Sequence, residues 1–301
     1  MPPARPLLIA DVPWLLYRSF FALPRSIADT DGRPVNALLG TANAILTLIA
    51  GPEAAIDARA VVACMGAEQA DYRVRLYPPY HAHRDPMPDE LAWQWRRAPL
   101  LLEGLGWTVA DSENLEADDV MFSFARAEEE RGGRSLLLTG DRDLYGATSA
   151  HTAVLELRKG DAPGEIGPEQ VRERYGVEPE QVPDFIALRG DPSDGLPGAP
   201  GIGAKTAAEL LGAHGTLEAV LAAALESVQE PATPAAMRPR TASALLDSAE
   251  LLGDFKQIAT LQRIEVRSPE DRATDLTGGS RVAGELGMRG LSERLSQLAT
   301  A

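Results

Sequence analysis

Five short apolar runs in the first half of the chain lack the alternation that marks a strand with one solvated face. Strands that are covered on both faces have this pattern. The runs span residues 7–10, 60–65, 107–109, 135–139 and 153–157. Helical patterns separate them, and we predict helices over residues 36–49, 88–105 and 117–131. The alternation predicts an α/β fold with a mostly parallel sheet and helices on both faces.

Acidic residues stand where these elements meet. Asp11 ends the first run, while Asp141 and Asp143 directly follow the fourth. Ligands of open α/β sheets bind beyond the carboxyl ends of the strands, so we expect one pocket to collect these acids. The acids that open the helix after residue 115 are expected there too, and they are Glu116, Asp118 and Asp119.

The ligand chemistry of these clusters points to a hard cation. Crowded carboxylates repel one another unless a cation lies among them. The clusters contain no His or Cys, and an all-oxygen ligand set favours Mg²⁺ or Mn²⁺ over zinc. A third acidic cluster, with Asp191 and Asp194, follows later in the chain. The pattern predicts phosphate chemistry with bound metal.

The composition is that of an ordinary globular chain. Of its 301 residues, 45% are hydrophobic and 24% charged, which suits one large domain or a core domain with a smaller partner. Asp11 interrupts the first apolar stretch, so we expect neither a signal peptide nor a membrane span. Cys64 is the only cysteine, and a reducing cytoplasm is its simplest setting.

The net charge of −15 argues against a global field that attracts nucleic acid. Part of this charge belongs to the acidic clusters, which metals would partly neutralise. Any DNA contact must therefore depend on a local basic patch.

The second half changes to helices and turns. We predict helices over residues 168–175 and 179–188, then a Gly/Pro-dense turn at 195–203 that leads into a helix at 206–211. This turn matches a helix-hairpin-helix pattern, whose glycines let backbone N–H groups approach a phosphate. A proline-rich connection at 228–240 and an amphipathic helical tail at 278–301 follow.

Six sequence motifs follow one another along the chain: LLYRSFFALP at 15–24, RPVNA at 33–37, EADDV at 116–120, TGDRDL at 139–144, ALRGDPSDGLPG at 187–198 and GIGAKT at 201–206. In this order, they resemble the bacterial 5′-3′ exonuclease and flap endonuclease family, which includes the nuclease domain at the front of many bacterial DNA polymerases I. The resemblance covers roughly residues 5–265. A chain of this length leaves no room for the polymerase, so we expect a stand-alone nuclease.

The resemblance implies a PIN-like nuclease domain over residues 1–166, with a helical arch at about 78–105, and a helix-hairpin-helix-type DNA-binding domain over 167–301. It also implies hydrolysis of DNA at 5′ ends and 5′ flaps in replication and repair, with two or more Mg²⁺ or Mn²⁺ ions. We expect a cytoplasmic monomer without a membrane partner.

Individual roles follow from the resemblance, motif by motif. It assigns the first metal site to Asp11, Glu116 and Asp118. It assigns the second, partly through water, to Asp119, Asp141, Asp143, Asp191 and Asp194. The catalytic candidates are Asp119, Asp141 and Asp143, with Arg84 and His81 at the arch. The DNA-binding candidates are Tyr80, Arg84, Arg18, Arg73, Gly198, Gly201, Ile202, Gly203, Lys205 and Thr206, with a K⁺ ion on the turn carbonyls.

Two departures from the family pattern stand out. The family places a further Asp of the first metal site where this chain has Gly66. His81 replaces a lysine of the arch, and a histidine with an ordinary pKa of about 6.5 is mostly neutral at neutral pH. We therefore expect a weaker first metal and an activity that is reduced, Mn²⁺-preferring or narrowed in substrate.

Several alternatives stay open at this point. The chain could be a DNA-binding paralogue without turnover, or an RNA nuclease of the wider PIN class. Tyr80 could stack on a base or pack locally, and Arg18 could pair with the acids instead of DNA. His81 and His83 are expected to be exposed or close to phosphate.

Overall fold

The computed structural model describes residues 5–51, 54–157, 163–230 and 237–300. Six strands form one sheet in the order β3-β2-β1-β4-β5-β6. The first five are parallel, and β6 pairs antiparallel with β5. The strands are β1 Leu7–Asp11, β2 Ala60–Cys64, β3 Thr108–Ala110, β4 Ser135–Leu138, β5 Thr152–Glu156 and β6 Gly164–Ile166.

Fourteen α-helices are assigned within the described ranges. The nuclease half carries α1 Val12–Ala22, α2 Asn36–Ile49, α3 Asp71–Leu76, α4 Asp89–Trp95, α5 Ala98–Gly104 and α6 Ala117–Glu130. The remaining helices are α7 Pro168–Tyr175, α8 Val182–Arg189, α9 Ala204–His214, α10 Leu217–Gln229, α11 Pro239–Asp247, α12 Ala249–Ala259, α13 Leu276–Glu285 and α14 Arg289–Thr300.

The predicted α/β architecture is confirmed, and the central strand shows why its sequence lacks alternation. Leu7 and Ile9 of β1 enter the core that contains α6, whereas Leu8 and Ala10 enter the core that contains α1 and α2. Both faces of the sheet are therefore apolar. Asp11 ends β1 at the carboxyl edge of the sheet, where it also caps α1.

The helix predicted over residues 88–105 is two helices, α4 and α5. Pro99 lies in the first turn of α5, and a proline inside a continuous helix would remove a hydrogen bond and clash with the preceding turn. Both helices join the core: Leu91 and Leu101 are buried. The buried Gln94 side chain accepts hydrogen bonds from the backbone N–H groups of residues 37 and 38, at 2.8 and 3.2 Å. Residues 89–104, which we expected in the arch, thus form part of the nuclease core.

The second half is helical, as predicted. The amphipathic helical tail predicted over residues 278–301 consists of α13 and α14, which pack on each other. The edge strand β6 was not predicted. Residues 231–236 of the proline-rich connection lie outside the described residues. In the described ranges no single helix has the length and apolarity to span a membrane; α9 and α10 reach that threshold only together and meet at an angle of 88°.

Candidate metal and DNA site

Four aspartates from three segments interact electrostatically at the carboxyl edge of the sheet; we call Asp11, Asp118, Asp141 and Asp143 the acid pocket. Hydrogen bonds connect two of these segments. The Thr139 hydroxyl donates to Asp11 Oδ2 at 2.7 Å and accepts from the backbone N–H of Asp141 at 3.0 Å. The N–H of Asp143 donates to Asp141 Oδ1 at 2.9 Å. Thr139 is a site residue that the sequence reasoning missed, although it stands within the TGDRD motif.

Burial, and after it the repulsion between neighbouring carboxylates, raises the pKa of every acid in this pocket. Burial raises the pKa of Asp11 to about 6, and the Asp141 carboxylate adds to this rise. Burial also raises the pKa of Asp141 to about 6, with further increases from Asp194 and Asp191. The pKa values of Asp118 and Asp143 lie well above the usual range, first because of burial and then because of the Asp141 charge.

This donor set fits a hard divalent cation. It consists of carboxylate oxygens, and a cation among them would relieve both the burial penalty and the mutual repulsion. Among the described residues, no three Asp, Glu, His or Cys side chains already converge as a finished coordination sphere. A cation must therefore draw the acids together or reach some of them through water.

Asp191 and Asp194 approach the acid pocket from the loop after α8. The guanidinium of Arg189 donates to Asp191 Oδ2 at 3.1 Å. Asp194 Oδ1 lies 2.9 Å from His81 Nε2 and 3.2 Å from Arg84 Nη2. Both carboxylates raise the pKa of Asp143. The structure thus brings the third acidic cluster to the same place as the first two.

Glu116 and Asp119 are engaged elsewhere. The guanidinium of Arg73 lies 2.9 Å from Glu116 Oε1 and 3.1 Å from Asp119 Oδ1. The backbone N–H of Gln262 also donates to Asp119 Oδ1, at 2.7 Å. Glu116 borders the acid pocket, since its charge raises the pKa of Asp11 and Asp118. The described contacts of Asp119 lead away from it.

Arg73 does not occupy the position that we expected for a DNA contact. Its side chain is 4% exposed, and its Nε donates to the backbone oxygen of Ile258 at 3.0 Å. A buried guanidinium between two carboxylates has no donors directed at solvent. Arg73 is therefore an internal link between α3, the start of α6 and the end of α12.

The loop at residues 77–88 contacts Glu116 and Asp194, which border the acid pocket. Tyr80 is buried, stacks on His81 with ring centroids 3.8 Å apart and donates to the Glu116 carboxylate at 3.2 Å. His81 is 2% exposed, adopts a positive φ of 54° and has no partner for Nδ1. His81 is therefore not exposed, because its ring stacks on Tyr80 and its Nε2 faces Asp194; the alternative expectation, a position close to phosphate, stays a prediction. Arg84 is half exposed and remains accessible to a phosphate.

Gly66 has no space for a side chain. A β-carbon there would lie 2.6 Å from the backbone nitrogen of Ala117 and 2.8 Å from the backbone oxygen of Leu115. The N–H of Ala67 donates to the same Leu115 oxygen at 2.9 Å. The glycine that we interpreted as a lost ligand therefore also seats the start of α6 against the end of β2.

The candidate DNA contacts of the C-terminal half divide into two groups. Gly201 and Gly203 have open space around them, and the Lys205 side chain is 90% exposed; Thr206 is half-buried. Ile202 is buried. A β-carbon on Gly198 would lie 2.3 Å from the backbone nitrogen of Gly190. Gly198 therefore allows two backbone segments to pack closely, and it is not a free DNA contact. The exposed group surrounds the N-terminus of α9, where backbone N–H groups favour an anion.

Comparisons with known proteins agree with this geometry. Residues 6–176 match the family model described as "5′-3′ exonuclease, N-terminal resolvase-like domain", and residues 177–272 match "5′-3′ exonuclease, C-terminal SAM fold". A Mycobacterium tuberculosis protein named "5′-3′ exonuclease" is 33% identical over 98% of this chain and 97% of its own length. The DNA polymerase I of Mycobacterium bovis is 39% identical over 71% of this chain, which spans only 24% of that protein.

Two solved structures share the fold. The T5 D15 protein co-crystallised with metal ions has a TM-score of 0.68 at 16% identity, covering 98% of this chain and 99% of its own. The catalytic core of Rad2 in complex with DNA substrate has a TM-score of 0.64 at 14% identity, covering 98% and 91%. Nothing in the comparisons supports the alternative of a paralogue without catalysis. The predicted PIN-like fold and enzyme class are confirmed, and the chain belongs to the 5′-3′ exonuclease family of nucleases.

Proposed function

We propose that this chain hydrolyses DNA phosphodiesters at 5′ ends and at 5′ flaps, with divalent cations held in the acid pocket, and serves replication and repair. One observation carries the proposal: carboxylates from three segments, with Asp11 buried and Asp118, Asp141 and Asp143 half-buried, lie at one edge of the sheet with raised pKa values. That arrangement is costly without a cation. Removing several carboxylates together from water is the arrangement expected where a cation binds.

We propose the cation ligands from the donor set described above. The four members of the acid pocket are the inner set, and Asp191 and Asp194 complete it from the facing loop. Their oxygen donors suit Mg²⁺ or Mn²⁺. When bound, such cations would supply Lewis-acid stabilisation of the charge that develops on the phosphate and the leaving oxygen.

The protein's own residues position the substrate. Arg84 lies at the rim of the acid pocket, 3.2 Å from Asp194 Oδ1, with half of its side chain free to meet the scissile phosphate. Lys205 and the N–H groups at the start of α9 would hold phosphates of the duplex. A K⁺ ion on the carbonyls of the turn at 201–203 is part of this proposal. The buried, unpaired Cys64 supports a cytoplasmic location, and we propose a monomer.

Cleavage of end-labelled substrates tests the proposal. The wild-type protein is incubated with a DNA flap, a matched RNA flap and a blunt DNA duplex, each with Mg²⁺, with Mn²⁺ and with EDTA. We expect metal-dependent cutting of the DNA flap and of the 5′ end, and little cutting of RNA. Equal cutting of the RNA flap would contradict the proposed specificity for DNA. Binding of the DNA flap without cutting in either metal would contradict the proposed nuclease activity.

A further inference from the structure

Asp191, which approaches the acid pocket from the loop after α8, is held rigidly by its own loop. Its backbone N–H donates to the oxygen of Leu196 at 2.8 Å, and the N–H of Leu196 donates to the Asp191 oxygen at 2.8 Å. The Asp191 side chain is only 9% exposed. The position of this carboxylate is therefore set by the protein, and a cation that uses it must adapt to that position.

Three donors from the described part of the chain reach the Asp191 carboxylate. The backbone N–H of Ser193 donates to Oδ1 at 2.8 Å, and the Ser193 hydroxyl donates to the same oxygen. The guanidinium of Arg189 donates to Oδ2 at 3.1 Å. An ionised carboxylate has about four lone-pair sites, shared equally by its two oxygens. Oδ1 is thus fully used, and the remaining site lies on Oδ2, beside the guanidinium.

Arg189, the last residue of α8, is itself fixed by two aromatic rings. Its guanidinium carbon lies 5.3 Å from the ring centroid of Tyr175 and 5.1 Å from that of Phe185. The two rings stack on each other with centroids 4.9 Å apart and an angle of 24° between their planes. Arg189 Nε also donates to the backbone oxygen of Gly190 at 3.1 Å. Cation–π attraction and hydrogen bonds together hold the positive charge at Oδ2 of Asp191.

This positive charge opposes a cation at the same carboxylate. Asp191 belongs electrostatically to the acid pocket, since its charge acts on both Asp141 and Asp143. Like charges repel, and the repulsion is screened only in part where the groups are partly buried. The Arg189 side chain is 22% exposed. A cation that uses Oδ2 is therefore bound less tightly than the carboxylates alone would bind it.

We propose that Arg189 is a positioning residue of the cation site: it restricts Asp191 to Oδ2, and its charge weakens the hold on the cation beside Asp191. The inference rests on the proposed nuclease function and adds a residue that is not itself a ligand. The arrangement lowers cation affinity in exchange for a fixed ligand position, on which the rate of an oriented reaction depends steeply.

Mn²⁺ binding in the absence of DNA tests the proposal. Electron paramagnetic resonance of free Mn²⁺ gives the number and the affinity of bound ions for the wild type, Arg189→Gln and Arg189→Lys. Arg189→Gln removes the charge and keeps a hydrogen-bond donor, so we expect one ion to bind about tenfold more tightly. Arg189→Lys keeps the charge, so its Mn²⁺ affinity should stay near that of the wild type.

Arg172→Gln is the matched control for net charge. It removes an exposed arginine of α7 that is paired with Glu178, and it should bind Mn²⁺ like the wild type. Urea unfolding verifies that each variant is folded, and Arg189→Met is a second neutral variant with the same expectation as Arg189→Gln.

Cleavage separates positioning from general damage to the site. Single-turnover cleavage of the DNA flap at saturating Mn²⁺ should fall about tenfold in Arg189→Gln and in Arg189→Lys, and it should not change in Arg172→Gln. Tighter Mn²⁺ binding and slower cleavage then occur together in Arg189→Gln. A variant with a merely damaged site would bind Mn²⁺ more weakly.

An Mn²⁺ affinity that is unchanged or lower in the folded neutral variants overturns the proposal. An equal gain of affinity in Arg189→Lys or in Arg172→Gln overturns it too, because the effect would not come from the charge at Oδ2. Undiminished cleavage by both Arg189→Gln and Arg189→Lys contradicts the positioning role. The binding experiment contains no DNA, so a wild type that binds Mn²⁺ but cuts no substrate would contradict only the proposed function.

Discussion

A β-carbon on Gly66 would lie 2.6 Å from the backbone nitrogen of Ala117. The neighbouring atoms are backbone and cannot rotate away, so a side chain at position 66 must displace the start of α6. That segment positions Asp118 of the acid pocket. The glycine therefore has a packing role, and restoring an acid at this position does not simply restore a metal ligand.

We predict that Gly66→Asp lowers stability and does not raise the cleavage rate. Gly66→Ala is the matched control, since it adds the β-carbon without a carboxylate, and it should cost about 1–3 kcal/mol of unfolding free energy. Urea unfolding and flap cleavage measure the two variants. If Gly66→Asp keeps the stability of the wild type and cleaves faster, then the start of α6 can shift to accommodate a side chain. An acid at position 66 would in that case act as a metal ligand.

Substitutions of Arg73 and Arg84 should have opposite effects: the first should lower the stability of the fold, and the second should lower cleavage of DNA. Arg73→Met leaves Glu116 and Asp119 buried without their counter-ion, which should cost about 3–5 kcal/mol of unfolding free energy. Arg84→Met removes an exposed guanidinium, so its stability should change by less than about 1 kcal/mol while flap cleavage falls strongly. Urea unfolding with single-turnover cleavage gives both quantities, and a stable Arg73→Met protein that no longer binds DNA would contradict the assignment.

The acid pocket predicts an unusual pH dependence for metal-free protein. Because the folded-state pKa of Asp11 is raised from 3.8 to about 6, its ionised form opposes folding above pH 6 and has no effect once both states are protonated below 3.8. Asp11→Asn keeps a capping side chain and should stabilise the protein by up to about 3 kcal/mol at pH 8.

That gain should shrink as the pH falls through 6 and vanish near pH 4. Urea unfolding in EDTA across this range measures it, with Asp31→Asn, an exposed aspartate, as the control that should change nothing. A gain of equal size at both ends of the range would contradict the electrostatic origin.

Lys205 should contribute a single phosphate contact. Its side chain is almost fully exposed, near the open N-terminus of α9. Lys205→Ala should weaken binding to duplex DNA at low salt and reduce the slope of log affinity against log salt by about one. The control Arg281→Ala removes an exposed arginine paired with Glu285 and should leave this slope unchanged. An equal reduction of the slope in both variants would show that net charge, and not a phosphate contact of Lys205, causes it.

The sequence predicted the sheet and its acidic edge because both depend on local patterns. Burial of β1 on two faces leaves a continuous apolar run, and the acids follow the strands directly in the chain. Residues 88–105 follow a helical pattern throughout, so we predicted one helix. Pro99 is the local signal for a second helix within this range.

The burial of Arg73 had no local signal. Its partners lie 43 and 46 positions away at Glu116 and Asp119, and a third, the Ile258 carbonyl, lies 185 positions away. Only the tertiary fold brings them together, and the same holds for the backbone contact that excludes a side chain at Gly66. Charged and glycine residues in the sequence suggested ligands and DNA contacts, whereas packing decides which of them face the substrate.

The central claim is tested most directly by single-turnover cleavage of a 5′-labelled DNA flap with Mg²⁺. The assay compares the wild type with Asp143→Asn and Asp31→Asn, and the affinity of each protein for the flap is measured in EDTA in parallel. Cleavage by wild type and Asp31→Asn, with loss of cleavage but retained flap binding in Asp143→Asn, is the predicted result. Undiminished cleavage by Asp143→Asn would contradict the assignment of the acid pocket as the site of the reaction.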